Sequence, residues 1–148
     1  TGQPLPTDRE SLFWLNVLEI PPKPGTVNGE TQNTLQFAVR SRLKLFFRPA
    51  GLAGNPLTAA SQITWSVASD GHALVAHNPT PYHVTFSKVS LSAGKAALAT
   101  DAGMVAPLST LRLPLAEGAP APAAGTAVAF TTINDFGAAD ANQGTITP

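Results

Sequence analysis

Residue types that do chemistry are sparse in this chain. Its 148 residues include nine Lys or Arg, nine Asp or Glu, three His and no Cys. Without Cys, disulfide frameworks, thiolate metal sites and thiol nucleophiles are excluded. His72 is predicted to follow a turn and His77 and His83 to lie on separate strands, without the clustered carboxylates of a metal site. The G-x-S-x-G, H-E-x-x-H, P-loop and G-x-G-x-x-G motifs are also missing, so the sequence predicts neither an enzyme nor a bound cofactor or metal.

The basic residues are concentrated in one segment of alternating hydrophobicity. Four of the nine Lys and Arg residues fall between Arg40 and Arg48, and the odd positions of residues 35–47 read Leu, Phe, Val, Ser, Leu, Leu, Phe. This alternation predicts one extended strand over residues 33–49 with an apolar face. A free edge of that strand could accept an extended segment of another protein, with Lys44 placed to neutralise an arriving acidic group. The alternative is an ordinary sandwich strand whose basic face contacts water.

Arg48 and Asp135 are candidates for an ion pair. A guanidinium can bind a carboxylate through two parallel hydrogen bonds. Asp135 lies in the sequence INDFG between the apolar residues Ile133 and Phe136, where an unpaired charge is costly to bury. The alternative is that each is a surface residue in a turn.

The strands that position these residues are predicted to form two domains. Residues 9–20, ended by Pro21 and Pro22, form a strand that pairs with residues 33–49 through the turn-rich loop 23–32. Two strands alone are not stable in water, so residues 1–48 are interpreted as the C-terminal hairpin of an incomplete domain. The missing strands are expected from an accompanying chain or a second copy, unless the chain is a truncation or proteolytic fragment.

The second predicted domain, residues 49–148, has the pattern of an immunoglobulin-like β-sandwich. Residues 50–60 are predicted to be a linker, and residues 137–148 have weak strand content, with pairing expected only at 145–147. Strands are predicted about ten residues apart, at 63–68, 73–77, 84–91, 95–99, 108–113 and 127–133. The predicted fold class is therefore all-β.

Charge and hydropathy exclude several kinds of partner. A formal net charge of zero and a pI near 6.8 give no support to nucleic-acid binding. A membrane span needs ~18–20 continuous apolar residues, and none is present. The opening residues TGQPLP lack the charged and apolar regions of a signal peptide, so they do not themselves indicate export.

Four segments resemble the periplasmic pilus-assembly chaperones of the chaperone-usher pathway, the PapD-like family. They occur in the family's order: LPTDRESLFWLNVLEIPP (residues 5–22), LKLFFRP (43–49), NPTPYHVT (78–85) and INDFG (133–137). The resemblance implies two immunoglobulin-like domains set in an L, of which this chain would begin near the sixth strand of the first. It also implies a periplasmic protein without a cofactor, whose partners are pilus or fimbrial subunits and an outer-membrane usher.

The resemblance also assigns roles to individual residues. Leu35, Phe37 and Val39 match the alternating side chains that the family inserts into a groove of the subunit by donor-strand complementation. Lys44 matches a lysine that binds the C-terminal carboxylate of the subunit together with an arginine of the first strand, which is absent from this chain. Three further residues match a buried charge network at the family's domain junction: Glu10, Arg48 and Asp135.

A rival hypothesis is a structural or adhesive immunoglobulin-like module, such as a pilus subunit. A subunit would typically carry a Cys pair and a disordered N-terminal donor segment. Neither is found in this sequence, so the residues favour the chaperone.

Overall fold

The structure is a computed structural model that describes residues 2, 4–22, 35–92, 98, 100 and 102–148. Their regular structure consists of nine β-strands and one short 3-10 helix, which confirms the predicted all-β class. No helix within these ranges has the length and apolar character needed to cross a membrane. The elements in chain order are β1 (Ser11–Glu19), β2 (Val39–Phe47), a 3-10 helix (Pro56–Gln62), β3 (Thr64–Val67), β4 (Ala73–Asn78), β5 (Val84–Leu91), β6 (Gly103–Val105), β7 (Ser109–Pro114), β8 (Ala127–Ile133) and β9 (Ala139–Thr145).

The chain divides into two compact units, which are Ser11–Phe47 and the combination of Thr1–Glu10 with Arg48–Pro148. The division differs from the predicted domains by grouping the first ten residues with the second unit. Local contacts explain this, because the backbone N–H of Glu10 donates to the carbonyl of Pro81 at 2.9 Å. A domain boundary between residues 48 and 49 stays a prediction.

The first unit is an antiparallel hairpin of β1 and β2, in the register Ser11 to Phe47 through Glu19 to Val39. Residues paired across antiparallel strands lie on the same face of the sheet. One face is therefore mainly apolar, with Leu15 opposite Leu43, and the other combines Trp14 with the basic side chains of β2. The predicted loop 23–32 and residues 33 and 34 lie outside the described residues.

β2 is shorter than the strand predicted over residues 33–49, because it begins at Val39. Leu35 and Phe37 therefore precede the strand. Continuing the register would place Pro21 and Pro22 of the partner segment opposite residues 37 and 36. Proline has no N–H to donate to a strand ladder, so regular pairing ends at Glu19 and Val39.

The second unit is a sandwich of a three-stranded sheet, β3-β4-β7, and a four-stranded sheet, β6-β5-β8-β9. Three aromatic rings fill the space between the sheets. Trp65 lies 5.5 Å from Phe86 and 5.1 Å from Phe130, measured between ring centroids, and all three are buried. Aromatic rings at such distances add to the free energy of burial, so this cluster fixes the packing of one sheet on the other.

Three elements of the second unit depart from the sequence-based expectation. The 3-10 helix Pro56–Gln62, capped by the side chain of Asn55, begins within the predicted linker and extends two residues beyond it. The short strand β6 was not predicted. A strand was predicted instead at 95–99, and of these residues 95–97 and 99 lie outside the described residues. The prediction of little strand structure in the tail was wrong, because β9 pairs along the whole of β8, from Ile133 opposite Ala139 to Ala127 opposite Thr145.

Candidate functional site

The open edge of β2 is the first candidate site. β2 pairs with β1 on one side, and no described residue pairs with its other edge. The side chains of Leu35, Phe37 and Val39 are 80%, 71% and 53% exposed. An unpaired strand edge next to exposed apolar side chains can bind another strand, through backbone hydrogen bonds and side-chain pockets.

Lys44 lies in β2 opposite Trp14 and is exposed. Within the described residues its ammonium group has no salt bridge. Its neighbour two residues away, Arg42, stacks on the ring of Trp14, with 4.0 Å from the guanidinium carbon to the ring centroid. The hairpin therefore presents an ordered arginine beside an unpaired ammonium group.

The second candidate site is the charge network around Glu10, which lies entirely within the second unit. The side chain of Glu10 is only 2% exposed, yet both of its oxygens have partners. Oε1 accepts a hydrogen bond from Nε of Arg48 at 2.7 Å. Oε2 accepts one from the backbone N–H of His83 at 2.7 Å and lies 3.1 Å from Nδ1 of the same histidine. A buried carboxylate with this many donors is held in its ionised form.

Arg48 joins Glu10 to Asp135. Its Nη1 donates to Oδ2 of Asp135 at 2.7 Å and its Nη2 donates to Oδ1 at 3.1 Å. This is the bidentate geometry that a guanidinium favours with a carboxylate. The guanidinium also lies over the ring of Tyr82, 5.3 Å from the centroid. The structure thus brings together Glu10, Arg48 and Asp135, with 38 positions between Glu10 and Arg48 and 87 between Arg48 and Asp135.

Two pKa values reflect this arrangement. Burial disfavours the charged form of Glu10, but the hydrogen bonds from His83 and the attraction of Arg48 outweigh it, so the pKa of the carboxyl is lowered from 4.5. The hydrogen bond to Asp135 makes the largest contribution and raises the pKa of Arg48. Burial lowers this pKa in part, and the hydrogen bond and negative charge of Glu10 raise it further. Both shifts favour the charged forms that pair with each other.

The loop between β4 and β5 positions His83 and Tyr82. Asn78 is fully buried, and its amide donates to the carbonyls of Tyr82 at 2.7 Å and Ala106 at 3.0 Å. Its oxygen accepts from the backbone N–H of Thr80 at 3.0 Å and from the Thr80 hydroxyl at 2.7 Å. One asparagine side chain thus holds the turn that carries the contacts to Glu10.

The turn between β8 and β9 positions Asp135. The side-chain oxygen of Asn134 accepts from the backbone N–H groups of Phe136 and Ala138, each at 3.0 Å. Gly137 has φ +78°, a conformation that glycine adopts without steric cost. Asp135 is therefore fixed in the turn, and Phe136 is left 82% exposed beside it.

Sequence reasoning missed His83 and Asn78 as parts of the network. His83 was considered only as a metal ligand, a role that the sequence did not support, and its contact with Glu10 joins residues 73 positions apart. A usable signal was the segment NPTPYH, since Asn and Thr before a strand commonly bond to the backbone of a turn. Among the described residues, no group of three or more His, Asp or Glu side chains could hold a metal ion.

Comparison with known proteins gives a consistent result over nearly the whole chain. Residues 1–53 match the family described as "Pili and flagellar-assembly chaperone, PapD N-terminal domain". Residues 58–144 match the family described as "Pili assembly chaperone PapD, C-terminal domain".

Individual relatives are chaperones by name. The chain is 46% identical over 145 residues to the chaperone protein FimB/FhaD of Bordetella pertussis, covering 98% of this chain and 56% of the relative. It is 46% identical over 137 residues to the probable fimbrial chaperone YadV of Escherichia coli strain K12, covering 91% and 55%. The chain thus spans little more than half the length of these relatives.

Solved structures show the same similarity. A crystal structure of the YadV chaperone matches with a TM-score of 0.77 and 38% identity, over 97% of this chain and 66% of that one. The SafB chaperone of Salmonella enterica, in complex with the SafA pilin, matches with a TM-score of 0.73 and 26% identity, over 100% and 64%.

Proposed function

Because this chain belongs to the family of PapD-type pili assembly chaperones, we propose that it binds pilus or fimbrial subunits by lending them a strand. The subunit's fold would be completed by β2 and the residues before it. The observation that carries the proposal is the open edge of β2 next to the exposed side chains of Leu35, Phe37 and Val39.

The energetics of such binding follow from burial and backbone pairing. Burying a large apolar side chain contributes roughly 1.5–3 kcal/mol, and the donated segment supplies three of them. The added strand also gives partners to backbone groups of the subunit that would otherwise be buried without one. Alternating side chains confer selectivity because each must fit its own pocket.

Lys44 sets the register of the bound subunit in this proposal. A buried ammonium–carboxylate pair contributes little net stability after its desolvation. Shifting a strand by one residue, however, moves every side chain to the opposite face. An unpaired ammonium at a defined position of β2 would therefore fix where the C-terminal carboxylate of the subunit stops.

Glu10, Arg48 and Asp135 have a different role in the proposal: they form the charge network that the resemblance to the family places at its domain junction, and in the structure all three belong to the second unit. Support comes from the buried carboxylate of Glu10 and the two-pronged pair of Arg48 with Asp135. Each contact requires close alignment of donor and acceptor, so the network would hold Glu10, which precedes β1, and Arg48, which follows β2, in fixed positions.

The proposed protein is not an enzyme and acts in the periplasm, passing its subunits to an outer-membrane usher. Support comes from similar proteins, which include a probable fimbrial chaperone and a chaperone in complex with a pilin. Neither nucleotide nor cofactor is required, because folding energy stored in the incomplete subunit can drive the exchange.

Co-expression with a subunit tests the anchoring role of Lys44. The intact protein and its Lys44→Ala variant are purified with the subunit, and the recovered subunit is quantified. The control is Lys88→Ala, which removes an exposed lysine of β5 in the other unit. We expect Lys44→Ala to lower recovery and Lys88→Ala to leave it unchanged; unaltered recovery with Lys44→Ala would refute the anchor.

A further inference from the structure

A basic stripe runs along one face of β2, and the proposed function does not account for two of its members. Arg40, Arg42 and Lys44 occupy alternate positions of the strand and therefore lie on one face. Consecutive members are roughly 7 Å apart, which is two residues of an extended strand. We call these three residues the basic stripe.

Among the described residues of the hairpin, no carboxylate neutralises the basic stripe. The residues of β1 paired with Arg40 and Arg42 are Leu18 and Asn16, which are uncharged. Glu19, the acidic residue of β1, is paired with Val39 and so lies on the opposite face. Within the described residues, no member of the stripe forms a salt bridge.

The stripe is also ordered in part and lies beside an open edge. Arg42 is held on Trp14 by the stacking described above, so less conformational entropy is lost when its guanidinium binds a ligand. A strand that adds to the free edge of β2 places every second side chain directly opposite a member of the stripe. Like charges at those positions repel and opposite charges attract.

We infer that the strand which pairs with β2 carries acidic side chains at alternate positions, where they form ion pairs with Arg40 and Arg42. This inference rests on the proposed function and names a chemical feature of its substrate. Apolar side chains on one face of β2 would supply affinity, and the basic stripe on the other would select among subunits and steer their approach.

Binding of strand peptides to the intact protein tests the inference. The probes are peptides in which valine alternates with glutamate, glutamine or lysine, measured by fluorescence anisotropy. We expect the glutamate peptide to bind more tightly than the glutamine peptide, by about twofold to fivefold for each opposed pair. The difference should disappear near 1 M salt, where charges are screened beyond ~3 Å.

Charge reversal identifies the residues responsible. Arg40→Glu should reverse the preference between the glutamate and lysine peptides, and the matched reversal Lys88→Glu in β5 should leave it unchanged. Thermal melting of each variant establishes that it is folded. Equal binding of the glutamate and glutamine peptides, or an unaltered preference in Arg40→Glu, would overturn the inference.

Three further outcomes separate this inference from its rivals. Displacement of the glutamate peptide by phosphatidylserine vesicles, with no preference for a strand, would show a general anionic surface and refute it. If the protein shows no preference for the glutamate peptide but subunit recovery still depends on Lys44, the inference of an acidic strand is wrong and the proposed function stands. If the wild-type protein recovers no subunit, the proposed function fails.

Discussion

At the residue scale, Glu10 is a charged residue that the second unit buries. A carboxylate with 2% exposure would be strongly disfavoured alone, and it is tolerated because Arg48 and His83 supply donors to both oxygens. Removing one partner leaves the other buried charge without compensation. The cost of breaking the network therefore exceeds the net contribution of forming it.

The first prediction concerns Arg48 and Asp135. Arg48→Met should lower the free energy of unfolding by about 1–3 kcal/mol, because it leaves the Glu10 carboxylate short of a partner. Asp135→Asn should cost less, at most about 1 kcal/mol, since Asp135 is 47% exposed and solvent screens its pair. Urea denaturation of both variants checks the order, and a larger loss for Asp135→Asn would contradict it.

The second prediction is a pH dependence of stability. Because the pKa of Glu10 is lowered on folding, its ionised form stabilises the folded state above the unfolded value of 4.5. That stability is lost as the pH falls through the lowered pKa of the folded state. Glu10→Gln should therefore show a shallower loss of stability below pH 4.5 than the wild type. Urea midpoints measured across this range test it, and parallel curves would count against the role of Glu10.

At the scale of elements, alternation in the sequence predicted most strands of the sandwich. β5 and β8 were predicted with their observed bounds, because Val84, Phe86 and Val89 in one and Val128 and Phe130 in the other are large buried residues. The short loop between β4 and β5 was also recognisable from its turn residues. Hydrophobic pattern is a strong signal where a strand supplies the core.

β9 was missed because its sequence, ADANQGT, has no large apolar residue. Its position is determined by partners distant in sequence, namely the ladder with β8 and the packing of Gly144 against Trp65. The Glu10–His83 contact escaped prediction for the same reason. Tertiary contacts of small or polar residues produce no hydrophobic periodicity in the sequence. Glu10, Arg48 and Asp135 were instead indicated by the resemblance to a family.

The third prediction tests why β9 requires glycine at position 144. A Cβ there would lie 2.7 Å from Cδ1 of Trp65, which is buried in the core. Gly144→Ala should therefore reduce stability by roughly 1–3 kcal/mol through overpacking. Gln143→Ala, at the exposed neighbouring position, is the control and should have little effect. Urea unfolding followed by tryptophan fluorescence measures both, and equal stability of the two variants would be inconsistent with this contact.

At the scale of the whole molecule, the hairpin and the sandwich differ in how they are stabilised. The sandwich encloses its own core between two sheets. The hairpin has large exposed apolar residues on both strands, including Leu15 in β1 and Leu43 in β2, each at least half exposed. A two-stranded sheet needs more strands over its apolar face to be stable in water, so further polypeptide is expected to cover it.

The fourth prediction follows from this exposed face. The purified 148-residue chain should occur as an oligomer or with a bound polypeptide, because exposed apolar patches of this kind drive association. Native mass spectrometry at micromolar concentration measures the mass directly. Substituting Leu15 and Leu43 with Ser should shift the distribution toward monomer, whereas a monodisperse wild-type monomer would contradict the prediction.

The central claim is that a strand of the subunit pairs with the open edge of β2. Hydrogen exchange measured by NMR on the intact protein tests this claim most directly. In an antiparallel pair, backbone groups point alternately toward and away from the partner strand. Alternate amides of residues 39–47 should therefore gain protection when subunit is added, while those already bonded to β1 change little. Bound subunit with no added protection in β2 would contradict the account.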